Sequence, residues 1–358
     1  MNKSKIYRAL GLMSGTSLDG IDAAIIDTDG TAILGYGPHI TQPYEDDFRE
    51  KLRSALGRED APLDLVQDFT EQHAKAVSEL LTKAGFEPAD IDVIGFHGQT
   101  ILHDPDRGTT VQIGDGNLLA AKTGVAVVND FRRNDVGAGG QGAPFAPVYH
   151  QALAGRLEKP VVVLNVGGVA NVTWIDEETM LAFDTGPGNS LMDDWVKMQA
   201  GIDFDLDGSM AAAGKVDVKI LSTLMDNDYF LKKPPKSLDR NDFSILPVAG
   251  LSTEDGAATL AAFTVETVVS AKGFFPQPAK SWIVCGGGRK NNHLMLLLAL
   301  KLGQDVRISE KAGWQGDALE AQAFAYMAVR SLMNLPISFP GTTGVPRPLS
   351  GGRLHTVQ

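Results

Sequence analysis

Three glycine turns, each placed after a short apolar or β-branched run, constrain the fold of this chain more than any other feature. The first lies within residues 6–30 and the second within residues 160–176, and in both a second strand-like run follows the turn. In the third, residues 281–303, a buried-type strand meets three glycines and then a helix-like segment. Strand-like runs that alternate with helical segments predict an α/β fold. The second turn is a weak internal echo of the first.

The segments between these turns have a helical pattern. Residues 63–84 and 256–269 carry apolar side chains three and four positions apart, which predicts amphipathic helices that cover the sheets. Residues 1–15 hold an apolar stretch too short for a secretory signal, and it runs directly into the first glycine turn. We therefore interpret this segment as the first β-strand.

The chain is long enough to contain two domains. Its 358 residues exceed the size at which a single core stops growing. There is no long low-complexity linker, so the glycine- and proline-rich residues 130–147 are the best candidate for a boundary. We predict an N-terminal domain of residues 1–130, with part of the tail, residues 337–358, as a candidate addition, and a C-terminal domain of residues 131–336.

Composition excludes several classes of protein. Hydrophobic residues make up 43% and charged residues 21%, a balance that predicts folding throughout. The single cysteine, Cys285, cannot form an internal disulfide or a thiolate metal cluster, which favours a reducing, cytoplasmic location. The longest apolar run, residues 294–300, is far shorter than the roughly 18 to 20 residues of a membrane span. A formal net charge of -12 argues against nonspecific binding to nucleic acid or anionic membranes.

The first turn, Ser14-Gly15-Thr16-Ser17, is a candidate phosphate-binding loop. Small hydroxyl and glycine residues between two strands can turn several backbone N–H groups toward one anion. A plain hairpin turn accounts for the same residues. The lysine of a P-loop is missing. Asp19 and Asp22, close behind the turn, are candidates to stabilise the turn or to hold water around a Mg²⁺ ion.

The second and third turns add to a nucleotide site. The Gly167-Gly168 turn supplies another backbone cradle, and the triple glycine that begins at Gly286 could pack against an adenine and its ribose. A dehydrogenase is disfavoured, because no GxGxxG follows a strand here. The predicted nucleotide-binding residues are Gly15, Thr16, Ser17, Leu18, Asp19, Gly20, Ile21, Asp22, Gly167, Gly168, Gly286, Gly287 and Gly288.

Two such phosphate loops followed by a glycine-rich adenosine loop resemble the actin, Hsp70 and sugar-kinase superfamily. Within it, eight ordered blocks closely resemble the anhydro-N-acetylmuramic acid kinase family, and they extend from residue 11 to residue 328. The blocks are GLMSGTSLDGID, GFHGQT, VQIGDGN, NDFRRNDVGAGGQGAP, LNVGGVANVT, FDTGPGNSLMDDW, CGGGRKN and GDALEAQAFAYMA. The resemblance implies a two-domain, actin-like α/β ATPase fold of the duplicated ribonuclease H-like kind, with an ATP cleft between the domains.

The resemblance also implies an activity. A kinase of this family would open the 1,6-anhydro bridge of 1,6-anhydro-N-acetylmuramic acid with water and phosphorylate O6 from ATP with Mg²⁺. The products would be N-acetylmuramic acid 6-phosphate and ADP, in cell-wall recycling in the cytoplasm. A homodimer is implied, whereas a nucleic-acid or membrane partner is not. The ligands of the Mg²⁺ ion stay unassigned.

Single residues take roles within this resemblance. Asp184, in FDTGPGN, is the candidate general base, and its carboxylate is expected at the start of a helix over residues 190–199. Arg132 is preferred over Arg133 to bind the lactyl carboxylate, for which a guanidinium has suitable geometry. The other candidate sugar-binding residues are His97, Gln99 and Glu320. A purely structural role is the alternative for His97, and a structural salt bridge is the alternative for Glu320.

Two alternatives remain open at this point. A levoglucosan-type kinase would break the same bridge in a sugar without a lactyl group, which would leave Arg132 without its proposed ligand. A nonenzymatic ATPase module of the Hsp70 or actin kind would use the same loops to control partner binding. Such modules carry large insertions, and the eight blocks leave little room for one.

Overall fold

The computed structural model describes residues 5–15, 17–239 and 242–357. The chain forms two compact units: unit 1 contains Met1–Gly155 and Ala318–Gln358, and unit 2 contains Arg156–Asp317. The boundary thus differs from the predicted one after residue 130, because residues 131–155 belong to the same unit as the first sheet. The tail does return to unit 1, but the return begins at Ala318 rather than at residue 337.

The strands of the described residues are numbered in chain order. They are β1 (Tyr7–Met13), β2 (Gly20–Thr28), β3 (Ile33–Pro43), β4 (Val93–Phe96), β5 (Gln99–Asp104), β6 (Thr109–Ile113), β7 (Val127–Asn129), β8 (Val161–Val166), β9 (Val169–Ile175), β10 (Met180–Pro187), β11 (Ser281–Cys285), β12 (Asp305–Ile308) and β13 (Arg353–His355).

The α-helices are numbered in the same way, and short 3₁₀ turns lie between them. They are α1 (Asp46–Ala55), α2 (Leu63–Ala84), α3 (Gly116–Thr123), α4 (Arg133–Gly137), α5 (Ala146–Leu153), α6 (Ser190–Ala200), α7 (Ser209–Ala213), α8 (Val218–Met225), α9 (Thr253–Ala271), α10 (Asn292–Leu302), α11 (Leu319–Leu332) and α12 (Pro340–Thr343).

The main sheet of unit 1 has the strand order β13-β7-β4-β1-β2-β3. β1 pairs antiparallel with β2 and parallel with β4. One face of the sheet buries Leu10 and Ile25 against Phe69 and Leu80 of α2. Since α2 begins and ends where the apolar periodicity does, that prediction is confirmed.

Helix α11 covers the other face of this sheet at unusually short range. A Cβ atom added at Gly11 of β1 would overlap the carbonyl oxygen of Ala321, and one at Gly95 of β4 would overlap that of Phe324. The two glycines therefore allow the helix backbone to lie directly on the strand backbone, a close approach typical of glycine in strands. This packing fixes the position of α11 and of Glu320 in its first turn.

The sheet of unit 2 repeats the same arrangement. Its order is β10-β9-β8-β11-β12, with three antiparallel strands followed by two parallel ones, as in β3-β2-β1-β4-β7. The internal echo seen in the sequence is therefore a repeated sheet topology. Trp174, Trp195 and Trp282 are fully buried in the core of this unit, against α9. In the part of the chain that the structure describes, no helix has the length and apolar character needed to cross a membrane.

Candidate active site

Contacts of Leu18 with the core, Gly15 and Arg49 fix the conformation of the first glycine turn of unit 1. Leu18 adopts a left-handed backbone with φ of 57°, and its side chain is buried in the core. Its N–H donates to the carbonyl of Gly15 at 3.1 Å, and its own carbonyl accepts from Arg49 Nε at 3.0 Å. A left-handed leucine is uncommon, so these contacts define one turn conformation. Gly15 and Ser17 remain accessible on its outer side, and Thr16 lies outside the described residues.

Three of the predicted nucleotide residues, Leu18 among them, support the turn instead of facing solvent. Ile21 is fully buried, and a Cβ atom at Gly20 would overlap the carbonyl oxygen of Gln42. Among the described residues of this segment, the accessible polar side chains are those of Ser17, Asp19 and Asp22. Ser17 Oγ donates to Asp19 at 2.9 Å, and Asp22 accepts from Thr41 Oγ1 at 2.5 Å.

Three carboxyl groups lie near this turn. The Glu320 residue is exposed to solvent. The protein around its carboxyl group still removes enough water to raise the pKa of Glu320, and the negative charges of Asp22 and Asp19 raise this pKa further. Such mutual repulsion marks a position where a cation would be stabilised. Among the described residues, no group of three or more histidine, cysteine, aspartate or glutamate side chains is arranged to hold a metal alone. Mg²⁺ commonly uses one or two carboxylates plus substrate phosphates, a set that Asp19 and Asp22 fit.

A buried chain of hydrogen bonds runs from Ser14 behind the same turn. Ser14 Oγ donates to Gln99 Oε1 at 2.7 Å, so its contact of 2.9 Å with the hydroxyl of Tyr44 must be donated by the tyrosine. Gln99 is fully buried and Ser14 nearly so. Gln99 therefore supports the first glycine turn from within unit 1 and presents no free face to a ligand.

His97 connects this chain to Arg132. Its Nδ1 lies 3.1 Å from the carbonyl of Ser14, and its Nε2 lies 3.0 Å from Arg132 Nη2. Because a guanidinium can only donate, Nε2 accepts and Nδ1 carries the proton. Burial, and then the charge of Arg132, lower the pKa of His97 to about 3. The histidine is thus neutral and serves as an acceptor that orients Arg132.

Arg132 keeps unused donors after these contacts. Its Nη1 donates to the carbonyl of Gly142 at 2.6 Å, while its buried Nε has no hydrogen-bond partner among the described residues. Burial lowers the pKa of Arg132 to about 10, which still leaves it charged. Arg133, in contrast, is exposed and lies 3.2 Å from Asp130 in a surface ion pair. Arg132 is thus held within unit 1, whereas Arg133 lies at the surface.

In unit 2 the second glycine turn is joined to the DTGPGN segment through the main chain. The carbonyl of Gly167 accepts from Asn189 N at 2.7 Å. The carbonyl of Gly168 accepts from Gly188 N at 2.9 Å and from Ser190 Oγ at 2.8 Å. A Cβ atom at Gly188 would overlap the Gly167 carbonyl, so only glycine permits this joint.

Arg289 and its two ion pairs fix the conformation of the triple-glycine turn in unit 2. Arg289 Nη1 donates to the carbonyl of Gly286 at 2.9 Å, and its Nη2 lies 2.7 Å from Glu310 and 2.9 Å from Asp317. Gly286 has φ of 75°, and a Cβ atom there would overlap Asn165 Oδ1. Sequence analysis missed the role of Arg289, although its position directly after the glycines was the available signal.

Asp184 lies in β10, and not at the start of a helix as the sequence suggested. Helix α6 begins only at Ser190, and the strand register shifts between Asp184 and Gly186. The Asp184 N–H donates to the Lys236 carbonyl at 3.1 Å, and its Oδ2 accepts from Leu238 N at 2.8 Å. Burial raises its pKa to about 6, against the opposing effect of the Leu238 N–H. A carboxyl of this kind accepts protons near neutral pH.

The first conclusion from the structure concerns the fold class of the chain. The predicted α/β fold is confirmed: component A of (R)-2-hydroxyglutaryl-CoA dehydratase from Acidaminococcus fermentans superposes with a TM-score of 0.50, covering 90% of this chain and 99% of that one. At 13% identity this similarity concerns the fold alone.

The family follows from closer similarity. A family model described as "Anhydro-N-acetylmuramic acid kinase" matches residues 7–356. Relatives of that name are 53% identical in Rhodospirillum rubrum (96% of this chain, 93% of the relative) and 52% identical in Paramagnetospirillum magneticum (97% and 99%). The chain belongs to the anhydro-N-acetylmuramic acid kinase family. It is therefore an enzyme, a kinase, and the alternative of a nonenzymatic ATPase module is not supported.

Proposed function

We propose that this kinase converts 1,6-anhydro-N-acetylmuramic acid and ATP to N-acetylmuramic acid 6-phosphate and ADP, in the recycling of cell-wall sugars. Its relatives carry the name of that substrate. The observation that most directly supports the chemistry is Asp184, whose half-buried carboxyl has a pKa of about 6 and is oriented by the Leu238 N–H. A general base is most effective when its pKa lies near the working pH.

The reaction joins hydrolysis to phosphoryl transfer. Asp184 takes a proton from a water molecule as the water oxygen bonds to the anomeric carbon of the sugar. The bond from that carbon to O6 breaks, and O6 attacks the γ-phosphorus of ATP, from which ADP leaves. In phosphoryl transfer the protein contributes mainly position and charge. The proton on Asp184 then passes to solvent, which restores the base.

The first glycine turn is the proposed phosphate site. The left-handed turn at Leu18 leaves Gly15 and Ser17 accessible beside Asp19 and Asp22. In this proposal the two aspartates are the groups of unit 1 that would meet a Mg²⁺ ion or its water. When bound, Mg²⁺ neutralises charge that develops on the phosphate oxygens. The glycine turns at Gly167 and Gly286 are the proposed contacts to the rest of the nucleotide.

Arg132 is the proposed anchor of the sugar through its lactyl carboxylate. The guanidinium is held by Gly142 and by neutral His97, and it retains unpaired N–H groups. In this proposal His97 and Gln99 act on the sugar indirectly, because both are buried and used within the hydrogen-bond chain. Glu320 is the proposed partner of a sugar hydroxyl.

A substrate comparison tests the assignment. The purified protein is given Mg-ATP with either 1,6-anhydro-N-acetylmuramic acid or levoglucosan, and sugar-dependent ADP release is measured. We expect turnover with the first sugar and little with the second. Equal turnover, or a preference for levoglucosan, would overturn the assignment in favour of a levoglucosan-type kinase.

Isotope labelling tests the order of bonds. In ¹⁸O-water the label should appear in the anomeric hydroxyl of the product. Label in the phosphate would instead mean simple ATP hydrolysis. We also propose a cytoplasmic homodimer without nucleic-acid or membrane partners; light scattering of the purified protein and cell fractionation test these two statements.

A further inference from the structure

Lys236, in unit 2, has an ammonium group enclosed by aromatic rings. Its Nζ lies 4.5 Å from the ring centroids of Tyr229 and Phe274, and 5.7 Å from that of Phe183. The same nitrogen donates to the carbonyl of Tyr229 at 3.0 Å. Aromatic faces attract a cation through their negative quadrupole, most strongly where water is excluded. These contacts fix the ammonium end of the lysine side chain.

The neighbouring lysines behave differently. Lys232 and Lys233 are exposed, whereas Lys236 is half-buried. Burial, and then the positive charge of Lys232, lower the pKa of Lys236 to about 8. Near neutral pH the side chain is therefore still a cation and can interact with the rings in the charged form.

The backbone around Lys236 meets Asp184 on two sides. The Lys236 carbonyl accepts from the Asp184 N–H at 3.1 Å, and two residues later Leu238 N–H donates to the Asp184 carboxylate at 2.8 Å. Tyr229, which supplies one ring and the carbonyl for the ammonium, donates its hydroxyl to the Asp184 carbonyl at 2.6 Å. The ammonium group of Lys236, among its aromatic rings, and the carboxyl group of Asp184 are thus connected through one set of hydrogen bonds.

Little else holds this segment by hydrogen bonds. Within the described chain, the hydrogen bonds of residues 234–238 go only to Asp184 and Tyr229. Pro234 and Pro235 have no N–H to donate. Beyond the burial of Leu238 against the core of unit 2, the Lys236 side chain is therefore the main anchor of the segment.

We propose that Lys236 is a positioning residue: by seating its ammonium among Tyr229, Phe274 and Phe183, it directs the Leu238 N–H at the Asp184 carboxylate. The proposal rests on the proposed role of Asp184 as the base. A hydrogen bond to the ionised form keeps a carboxyl group ionised at lower pH. Without the anchor, Asp184 loses both this donor and its fixed direction.

The test compares Lys236→Met with the matched control Lys233→Met in the full-length enzyme. For Lys236→Met we expect kcat to fall about tenfold, within the range lost when a base is misplaced, while the KM for ATP stays unchanged. The acid limb of kcat/KM should move to higher pH, because Asp184 loses a donor that lowers its pKa. Lys236→Arg, which keeps the cation, should restore most of the activity, and Lys233→Met should match the wild type.

Other outcomes separate this inference from the proposed function. If Asp184→Asn is inactive while Lys236→Met keeps both the wild-type kcat and the wild-type acid limb, the positioning role is wrong and the base stands. If Asp184→Asn turns over normally, the role of the base is wrong, and this inference fails with it.

A second variant covers the case in which Lys236→Met does not fold. Phe274→Leu removes one ring and keeps the lysine, so its acid limb should move in the same direction by a smaller amount. A wild-type acid limb in folded Phe274→Leu would overturn the proposal.

Discussion

The two units share a strand order but use its first turn differently. In unit 1, residues 14–19 join β1 to β2 and hold Ser17 and Asp19, whereas in unit 2 only Gly167 and Gly168 join β8 to β9. The repeated sheet decides where a turn falls, and the length of the turn decides its chemistry. A longer turn can present side chains, while a two-residue glycine turn presents only main chain.

The two units also differ in the ionisable side chains of their candidate sites. Unit 1 keeps Arg132 charged and His97 neutral within a connected hydrogen-bond chain. Unit 2 places Asp184 where burial raises its pKa to about 6. We infer that unit 1 supplies the side chain that binds the sugar carboxylate and unit 2 supplies the side chain that moves a proton, and the predictions below test this division.

The largest expected effect is in unit 2. Asp184→Asn should lower kcat by about 10² to 10⁴-fold, the usual contribution of a positioned base, with the KM for ATP nearly unchanged. Steady-state kinetics measures both constants. The exposed Glu178, also in unit 2, provides the control Glu178→Gln, which should keep the wild-type rate. Near wild-type turnover of Asp184→Asn would contradict the proposed division of roles between the two units.

The next effect is in unit 1 and should appear in binding. Arg132→Gln removes the charged donor that we propose for the lactyl carboxylate, and it should raise the KM for the sugar about 10-fold to 100-fold, with a smaller change in kcat. Arg133→Gln is the matched control, since that side chain is an exposed ion-pair partner. A loss confined to kcat would place Arg132 with the chemistry and not with binding.

The pH profile distinguishes the two units without a mutation. Because the pKa of Asp184 is raised to about 6, the base is lost as pH falls through that value, and kcat/KM should drop about tenfold per pH unit below it. His97, with a pKa of about 3, should add no limb in this range. The profile is measured at saturating Mg-ATP. An acid limb near pH 4 would mean that an ordinary, hydrated carboxylate is the base.

The smallest effect concerns stability. Gly11→Ala should lower the unfolding free energy by about 1 to 3 kcal/mol, the usual cost of overpacking, because the new methyl group meets the α11 backbone. Thermal unfolding monitored by circular dichroism measures it. Gly155→Ala, where the added carbon has open space, is the control. The strands of unit 2 that correspond to β1 and β4 are β8 and β11, which contain no glycine, so this close packing distinguishes unit 1.

Local patterns in the sequence predicted much of the fold. The strand–turn–strand blocks and α2 could be recognised because glycine turns and apolar periodicity are local signals. The boundary was harder to place, since glycine and proline in residues 130–147 looked like a linker. In the structure, Asp135 accepts from Gly142 N–H at 2.7 Å and from Thr343 Oγ1 at 2.6 Å, and it folds this segment into unit 1.

The candidate site was predictable in its residue types but not in its contacts. Family motifs pointed to Asp184 and Arg132, yet nothing local indicated that Asp184 would lie within a strand. The role proposed for Lys236 depends on rings at Phe183, Tyr229 and Phe274, which are far apart in the sequence. Such tertiary contacts leave no periodic trace in the residues between them.

The return of the chain to unit 1 has a consequence for biosynthesis. Gly11 and Gly95 leave the ribosome early, but α11, which covers them, and β13, at the edge of the same sheet, come from the end of the chain. Unit 2 is continuous, and all its residues are synthesised before that helix. Since domains fold as units during synthesis, unit 2 can fold while one face of the unit 1 sheet is still uncovered. The exposed apolar surface of unit 1, and therefore its need for a chaperone, should be greatest during this period.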